Sequence, residues 1–466
     1  MSRTNSAKQR DPLLDLWRGL ALVDMAWVHL ATYPIGIAAL LAAWIGDYTR
    51  FAAGAFVFIS GLSVARVFGP RLVGDAAEVQ TTRRRLLRRA LNLALLDRLV
   101  AVAFGLIERS LSVPPTVTPN YPDLVDLLTF REPGVTGGLL FLYAVFLAAT
   151  PLLNGVLRRY GSLAVLAISV GLFALAHADG LGSDGAWPFP VAYWQVLFVV
   201  GYVVAQGIPA LRDDAGQIVR WWLVLVSVVF AAVFLLRNGG SLGLAVTSAL
   251  PGLAFVKVPL SPAELAWYLA VTALVLTWSA WIWERAAWIR HGLGWLVLLG
   301  RQSLLVYVGH LFIQLTLIEA LTLLDPPTTG RVLMLPLMAL MLVGVAAMGE
   351  RWGRASTPLP STQAPRRRLL PRPAILGGAV IAGTFGTVMT LQVVVGTPVS
   401  WQYGADAYAR LQGEPTAEEG ADIASLDEES PNPFQIPWLA VPEPDVYPGP
   451  GIFPEVDDPA RLDSET

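Results

Sequence analysis

The chain has 466 residues, 55% of them hydrophobic and only 15% charged, with a mean hydropathy of +0.55; soluble domains carry about 25% charged residues, so an ordinary soluble domain is excluded. The absence of cysteine removes disulfides, thiolate nucleophiles and thiolate metal sites together, so a base or nucleophile must come from His, Ser, Asp, Glu or Tyr. The net charge of −2 conceals a split, because residues 397–466 hold 15 acidic and 2 basic groups against 20 and 31 in the rest.

The first hydrophobic segment, LLDLWRGLALVDMAWVHLATY, covers the expected span 13–33. It carries internal charges and no small-residue cleavage pattern, so a removable signal peptide is not expected. From Arg18 to His29 a helix turns by about 1100°, within about 20° of three full turns, which puts both on one stripe about 16 Å apart along the axis. With Arg18 at the membrane surface, His29 lies near the bilayer centre, where ionisable groups are costly and mark function. The alternative is a histidine satisfied by a hydrogen bond inside a helix bundle. Asp15, three residues before Arg18, is placed to pair with it. Asp24 lies about 140° around the helix from His29, so a group that orients the imidazole is expected from another helix. Asp97, Arg98, Gln195, Tyr307 and Glu319 are the candidates in or beside spans.

In the second segment, 50–69, FVFISGLSVARVFG interrupts bulky residues with Ser60, Gly61, Ser63 and Gly69. Small residues let helix backbones approach closely; the same notch could instead admit a slender acyl chain or pantetheine arm. The run TTRRRLLRRAL that follows, with Arg83, Arg84, Arg85, Arg88 and Arg89, suits anionic lipid headgroups on the cytoplasmic side or, alternatively, the phosphates of a coenzyme.

Further apolar windows of roughly 20 residues predict spans at 90–108, 137–156, 162–178, 191–208, 219–236, 265–283, 302–322, 331–349 and 374–396. The expected fold is therefore all-α, a polytopic transmembrane bundle of about ten to eleven spans. Residues 238–263 are read as a re-entrant or interfacial stretch. With residues 1–12 cytoplasmic, inside segments hold 21 Lys and Arg and outside segments 7, which supports that orientation. The ninth span begins GRQSLLVYVGHLFIQ, with Arg301, Ser303, Tyr307 and His310. Tyr307 and His310 are neighbours on one helical surface, forming either a polar cavity or a packing contact. His177 and His291 fall at span ends and receive no role. The tail, 397–466, holds 11 prolines and its acidic runs; it is expected to be extracytoplasmic and disordered. No phosphate loop, dinucleotide fingerprint or internal repeat is present.

These blocks resemble the integral-membrane acyltransferase superfamily, which includes acyltransferase family 3, the heparan-α-glucosaminide N-acetyltransferase group and the OpgC-type glucan succinyltransferases, and among them most resemble the OpgC type. The resemblance rests on LDLWRGLALVDMAWVHL with its Arg-x10-His spacing, FVFISGLSVARVFG, FPVAYWQVLFVVGYVVA with Trp194, Gln195 and Gly201, and GRQSLLVYVGH. It implies an acyltransferase domain over 13–396 in the cytoplasmic membrane. Acyl-CoA presented from the cytoplasm would be the co-substrate, and succinyl or acetyl would pass at His29 to a hydroxyl of an outward-facing saccharide or glycan. Arg18, Ser60, Gly61, Gln195, Arg301, Ser303, Tyr307 and His310 would bind acyl-CoA or acceptor. The partners expected are these two and membrane lipid, with no metal and no nucleic acid. OpgC-type members commonly carry Asp directly before the first-span histidine, whereas Val28 stands here, and the acidic tail falls outside the shared pattern. The rival reading is a transporter or flippase of a saccharide or lipid-linked glycan, in which Arg18 and His29 line a pathway. A third is a catalytically inactive scaffold whose tail recruits partners.

Overall fold

The computed structural model describes residues 11–31, 51–111, 128, 138–178, 189–213, 215–238, 255–257, 260–285, 287–324 and 333–355. The described residues form helices and no strand. In chain order these are α1 (Pro12–Ala31), α2 (Ala52–Phe68), a 3-10 turn (Pro70–Leu72), α3 (Ala76–Leu111), α4 (Leu139–Ala178), α5 (Val191–Asp213), α6 (Ala215–Asn238), α7 (Pro262–Arg285), α8 (Ala287–Gly292), α9 (Gly294–Arg301), α10 (Ser303–Leu324) and α11 (Met334–Ala355). The eleventh expected span, 374–396, the tail and most of 238–263 lie outside the described residues.

The chain is a membrane protein. Among the described residues, α4, α7 and the stretch Met334–Trp352 are long and apolar enough to cross a membrane. Gly294–Arg301 with Ser303–Gln314 would add one span bent by 95°, and Ala52–Phe68, Val191–Gln206 and Trp222–Arg237 are shorter apolar helices. Lipid-side surfaces are apolar, as Leu152 and Leu163 of α4 and Val228 and Leu235 of α6 illustrate.

α1 is the central helix. It buries residues all round its circumference, including Leu16, Ala21, Leu22 and Ala26, and packs on α2, α7, α9, α10 and α11. Such all-round burial is what a helix surrounded by others requires. Its acids are engaged: Asp24 Oδ2 accepts the backbone N–H groups of Phe51 at 3.3 Å and Ala52 at 3.0 Å, capping α2 from a neighbouring helix.

Two helix crossings depend on glycine. A Cβ on Gly61 would lie 2.0 Å from the Phe198 carbonyl oxygen and one on Gly201 would lie 2.1 Å from that of Phe58, so α2 and α5 pack backbone to backbone. α1 and α9 repeat the arrangement through Gly19 against Leu296 and Gly300 against Asp15, at 2.0 and 1.7 Å. Close approach of this kind is how membrane helices gain dispersion contact without a hydrophobic driving force.

α3 begins fourteen residues before the expected start at 90, so most of what reads as a cytoplasmic loop is helix. Thr82, Leu86 and Ala90 repeat every fourth residue and are buried, and that stripe ties the arginine run to the bundle. The opposite stripe, Leu87, Leu91, Leu95 and Leu99, is exposed.

Residues 139–178 contain one non-helical residue, Gly161, with φ 83 and ψ 174. That left-handed φ is open to glycine at no steric cost. The order of partners on α5 reverses across it. Before Gly161, Phe146 stacks on Phe198 and Asn154 accepts from Tyr202; after it, Ser169 bonds Gln195 and Ala176 accepts from Tyr193. The two arms are therefore antiparallel, matching the expected pair 137–156 and 162–178.

Candidate functional site

Two polar clusters sit along the Arg18–His29 stripe of α1. At the first, the Arg18 guanidinium donates from Nη2 to the Ser63 hydroxyl at 2.6 Å and from Nη1 to Asp15 Oδ1 at 3.3 Å. Ser63 passes its own proton to the Ile59 carbonyl at 2.6 Å, the back-bond that serine makes inside a helix. The buried Asp15 carboxylate also has Arg301 Nε at 3.8 Å, and Arg301 Nη1 reaches Glu350 at 3.7 Å. Two guanidiniums and two carboxylates, Asp15 and Glu350, make the cluster formally neutral. Arg18 and Arg301 retain partial exposure, 24% and 44% of their side chains, so both remain reachable by an anion.

Arg301 ends α9 and Ser303 begins α10 across the 95° break at Gln302. Ser60 is half-buried on α2, and the buried Tyr143 hydroxyl of α4 lies beside it and within electrostatic range of Arg18, without a hydrogen bond of normal geometry.

At the second cluster, the rings of His29 and His310 face each other with centroids 5.4 Å apart and tilted by 52°. Tyr307 adjoins His310 at 5.3 Å. His310 Nδ1 hydrogen-bonds the Tyr307 carbonyl, and Gln314 Nε2 donates to the His29 carbonyl at 3.3 Å. His310 and Tyr307 are buried and His29 is half-buried. His29 is thus turned toward α10 inside the bundle. Its backbone carbonyl and its ring are met by residues one helical turn apart on that helix.

Two tyrosines lie between the clusters in electrostatic range of each other. Tyr307 lies within electrostatic range of both Tyr143 and the buried Asp97, and Tyr143 in turn reaches the Arg18 end. Asp97 is paired with its neighbour Arg98, which keeps the net charge near Tyr307 close to zero.

Several expected residues take other work. Gln195 is committed to a clamp on α4: it accepts from the Ser169 hydroxyl at 2.6 Å and donates to the Ser169 carbonyl at 2.7 Å. Both ends of its amide are thus in use in pairing α5 with α4. At Gly61 the α5 backbone packs against the position a side chain would take, with the Phe198 carbonyl oxygen 2.0 Å from an added Cβ. Of the orienting candidates, Tyr307 and Asp97 reach the neighbourhood of the imidazoles, while the Glu319 side chain lies outside the described residues. His177 bonds the Phe173 carbonyl and packs on Tyr193, a structural contact. Arg83, Arg84, Arg85, Arg88 and Arg89 of α3 are exposed, Arg89 lying over the Phe68 ring at 5.3 Å. Partial burial, then Arg85 and Arg71, lower the Arg89 pKa, a crowding that an anionic headgroup relieves.

Tyr143 was not singled out in the sequence. Its signal is a lone phenol inside the apolar run LLFLYAVFLAA, since polar groups within spans are rare without a purpose. His310 was placed in the site but not as the partner of His29, which lies 281 residues earlier. Among the described residues, no three His, Asp or Glu side chains converge as a metal site.

Comparison with known proteins adds one finding. The family model described as OpgC protein matches residues 10–355, a range that runs from just before α1 to the last residue of α11. No curated protein and no solved structure matches the chain.

Proposed function

Because the chain belongs to the OpgC protein family, we propose that it is an integral-membrane O-acyltransferase. It moves an acyl group, succinyl or acetyl, from cytoplasmic acyl-CoA to a hydroxyl of an extracytoplasmic saccharide. The reading is supported above all by the juxtaposition of His29 with a second, buried imidazole inside the bundle, on the same stripe of α1 as an arginine–carboxylate cluster nearer the opposite end.

In the reaction, neutral His29 takes the proton of the acceptor hydroxyl as that oxygen attacks the thioester carbonyl. The new C–O bond forms, the C–S bond breaks, and the sulfur leaves as the thiol of coenzyme A once it has received that proton. An acyl-histidine intermediate is the covalent variant of the same exchange. Arg18 and Arg301, both partly exposed, suit coenzyme phosphate through the guanidinium fork. The N-terminus is taken as cytoplasmic, which puts this end on the side where acyl-CoA is available.

The test is acyl-CoA supplied to the purified protein in proteoliposomes with a glucan acceptor. Thioester loss and ester formation are expected in the native protein and absent from His29→Ala, with insertion and thermal stability retained. Glycan movement without thioester loss would instead establish the transporter reading.

A further inference from the structure

His310 has one ring nitrogen committed and one left over. Its Nδ1 faces the Tyr307 backbone carbonyl, and a carbonyl can only accept, so Nδ1 carries the hydrogen. In the neutral ring Nε2 is then a lone-pair acceptor. That atom is buried and has no hydrogen-bond partner among the described residues. The neighbouring ring is His29, at 5.4 Å between centroids, a separation at which rotation of the rings brings a nitrogen of each to about hydrogen-bond distance.

We infer that His310 is the positioning residue of His29: its Nε2 accepts a hydrogen from one nitrogen of the His29 ring and so leaves the other nitrogen of His29 as the proton acceptor. This rests on the acyltransferase reading for its purpose, though not for its geometry. Val28 and Asp24 do not do this work, the first because it is apolar and the second because it caps α2. A carboxylate partner would carry a full charge into a low-dielectric interior, whereas an imidazole locked in one tautomer orients a second imidazole while remaining neutral. Gln314, four residues on, holds the His29 carbonyl, so α10 grips the residue at two points. The other ionisable group beside the pair is Tyr307 on α10, which in turn lies within electrostatic range of Asp97 on α3, itself paired with Arg98, and of Tyr143 on α4; Arg18 and Asp24 of α1 are engaged elsewhere, with Ser63 and Asp15 and with the start of α2.

Three measurements on the full-length protein test the assignment. In native protein labelled with 15N-histidine, His310 should show a protonated Nδ1 and an unprotonated Nε2; the reverse tautomer overturns the inference without any variant. His310→Asn keeps a donor near the Tyr307 carbonyl and loses the second nitrogen, whereas His310→Gln offers an amide group near the Nε2 position. kcat should fall on the order of 10²-fold in the Asn variant with KM little changed, and recover in part in the Gln variant. Reaction of His29 with diethyl pyrocarbonate, followed by peptide mass spectrometry, should slow about fivefold in the Asn variant, as the imidazole loses the acceptor that raises its basicity. Unchanged His29 reactivity overturns the proposal, even where kcat falls, because His310 would then act by some route other than His29. The tautomer and reactivity readouts need no acyl acceptor, so they stand or fall separately from the acyltransferase reading.

Discussion

The Arg18 guanidinium donates to the Ser63 hydroxyl at 2.6 Å, which ties α1 to α2 at the end of the stripe opposite His29. With Asp15 on its other side, Arg18 is held in one place while a quarter of its side chain stays open. A fork held in this way can receive a phosphate without first being ordered.

Arg18→Lys is therefore expected to raise KM for acyl-CoA roughly tenfold while kcat stays within about threefold, because a lysine cannot serve Asp15, Ser63 and a phosphate from one planar fork. Ser63→Ala should produce a smaller KM effect in the same direction. Steady-state kinetics with varied acyl-CoA decide the matter. A fall in kcat at constant KM would move Arg18 to the chemical step.

Asp24 serves α2 rather than the imidazole. Asp24→Ala should destabilise the protein by about 1–2 kcal/mol, the worth of an N-cap, and the thermal midpoint in detergent reads this directly. The turnover of the protein that remains folded should stay close to native.

At Gly61 and Gly201 the loss is steric. Gly61→Val or Gly201→Val must drive a side chain into the carbonyl of the facing helix, and even Gly61→Ala should cost about 1–3 kcal/mol. Yield of inserted, monodisperse protein measures it. A native-like thermal midpoint for Gly61→Val would show that α2 and α5 separate more easily than the crossing implies.

Gln195→Leu separates a clamp from a ligand contact. Loss of two hydrogen bonds to Ser169 should lower stability by about 1–3 kcal/mol in total, with KM for both substrates unchanged. A rise in KM for the acceptor would restore the substrate-binding role.

Much of this architecture is legible in order along the chain. The helices near 13–33, 50–69, 191–208 and 331–349 follow from apolar windows, and the Arg18–His29 stripe follows from the period of a helix alone. The start of α3 was misplaced because hydropathy sees the arginines as a boundary, while a helix continues wherever good helix formers do. The break at Gly161 is legible too, because Arg158 and Arg159 with the glycine interrupt two apolar windows.

What the amino-acid order determined by itself is one-dimensional: where helices run, which side chains share a face, and that an imidazole in α1 would lie deep in an apolar surround. Tertiary structure decided which group meets that imidazole, because His310 is 281 residues away and no periodicity relates two separate helices. It also decided that Gly61 receives a carbonyl and Gln195 a serine, since the same small or polar residue serves packing or ligand according to which helix surface arrives opposite it.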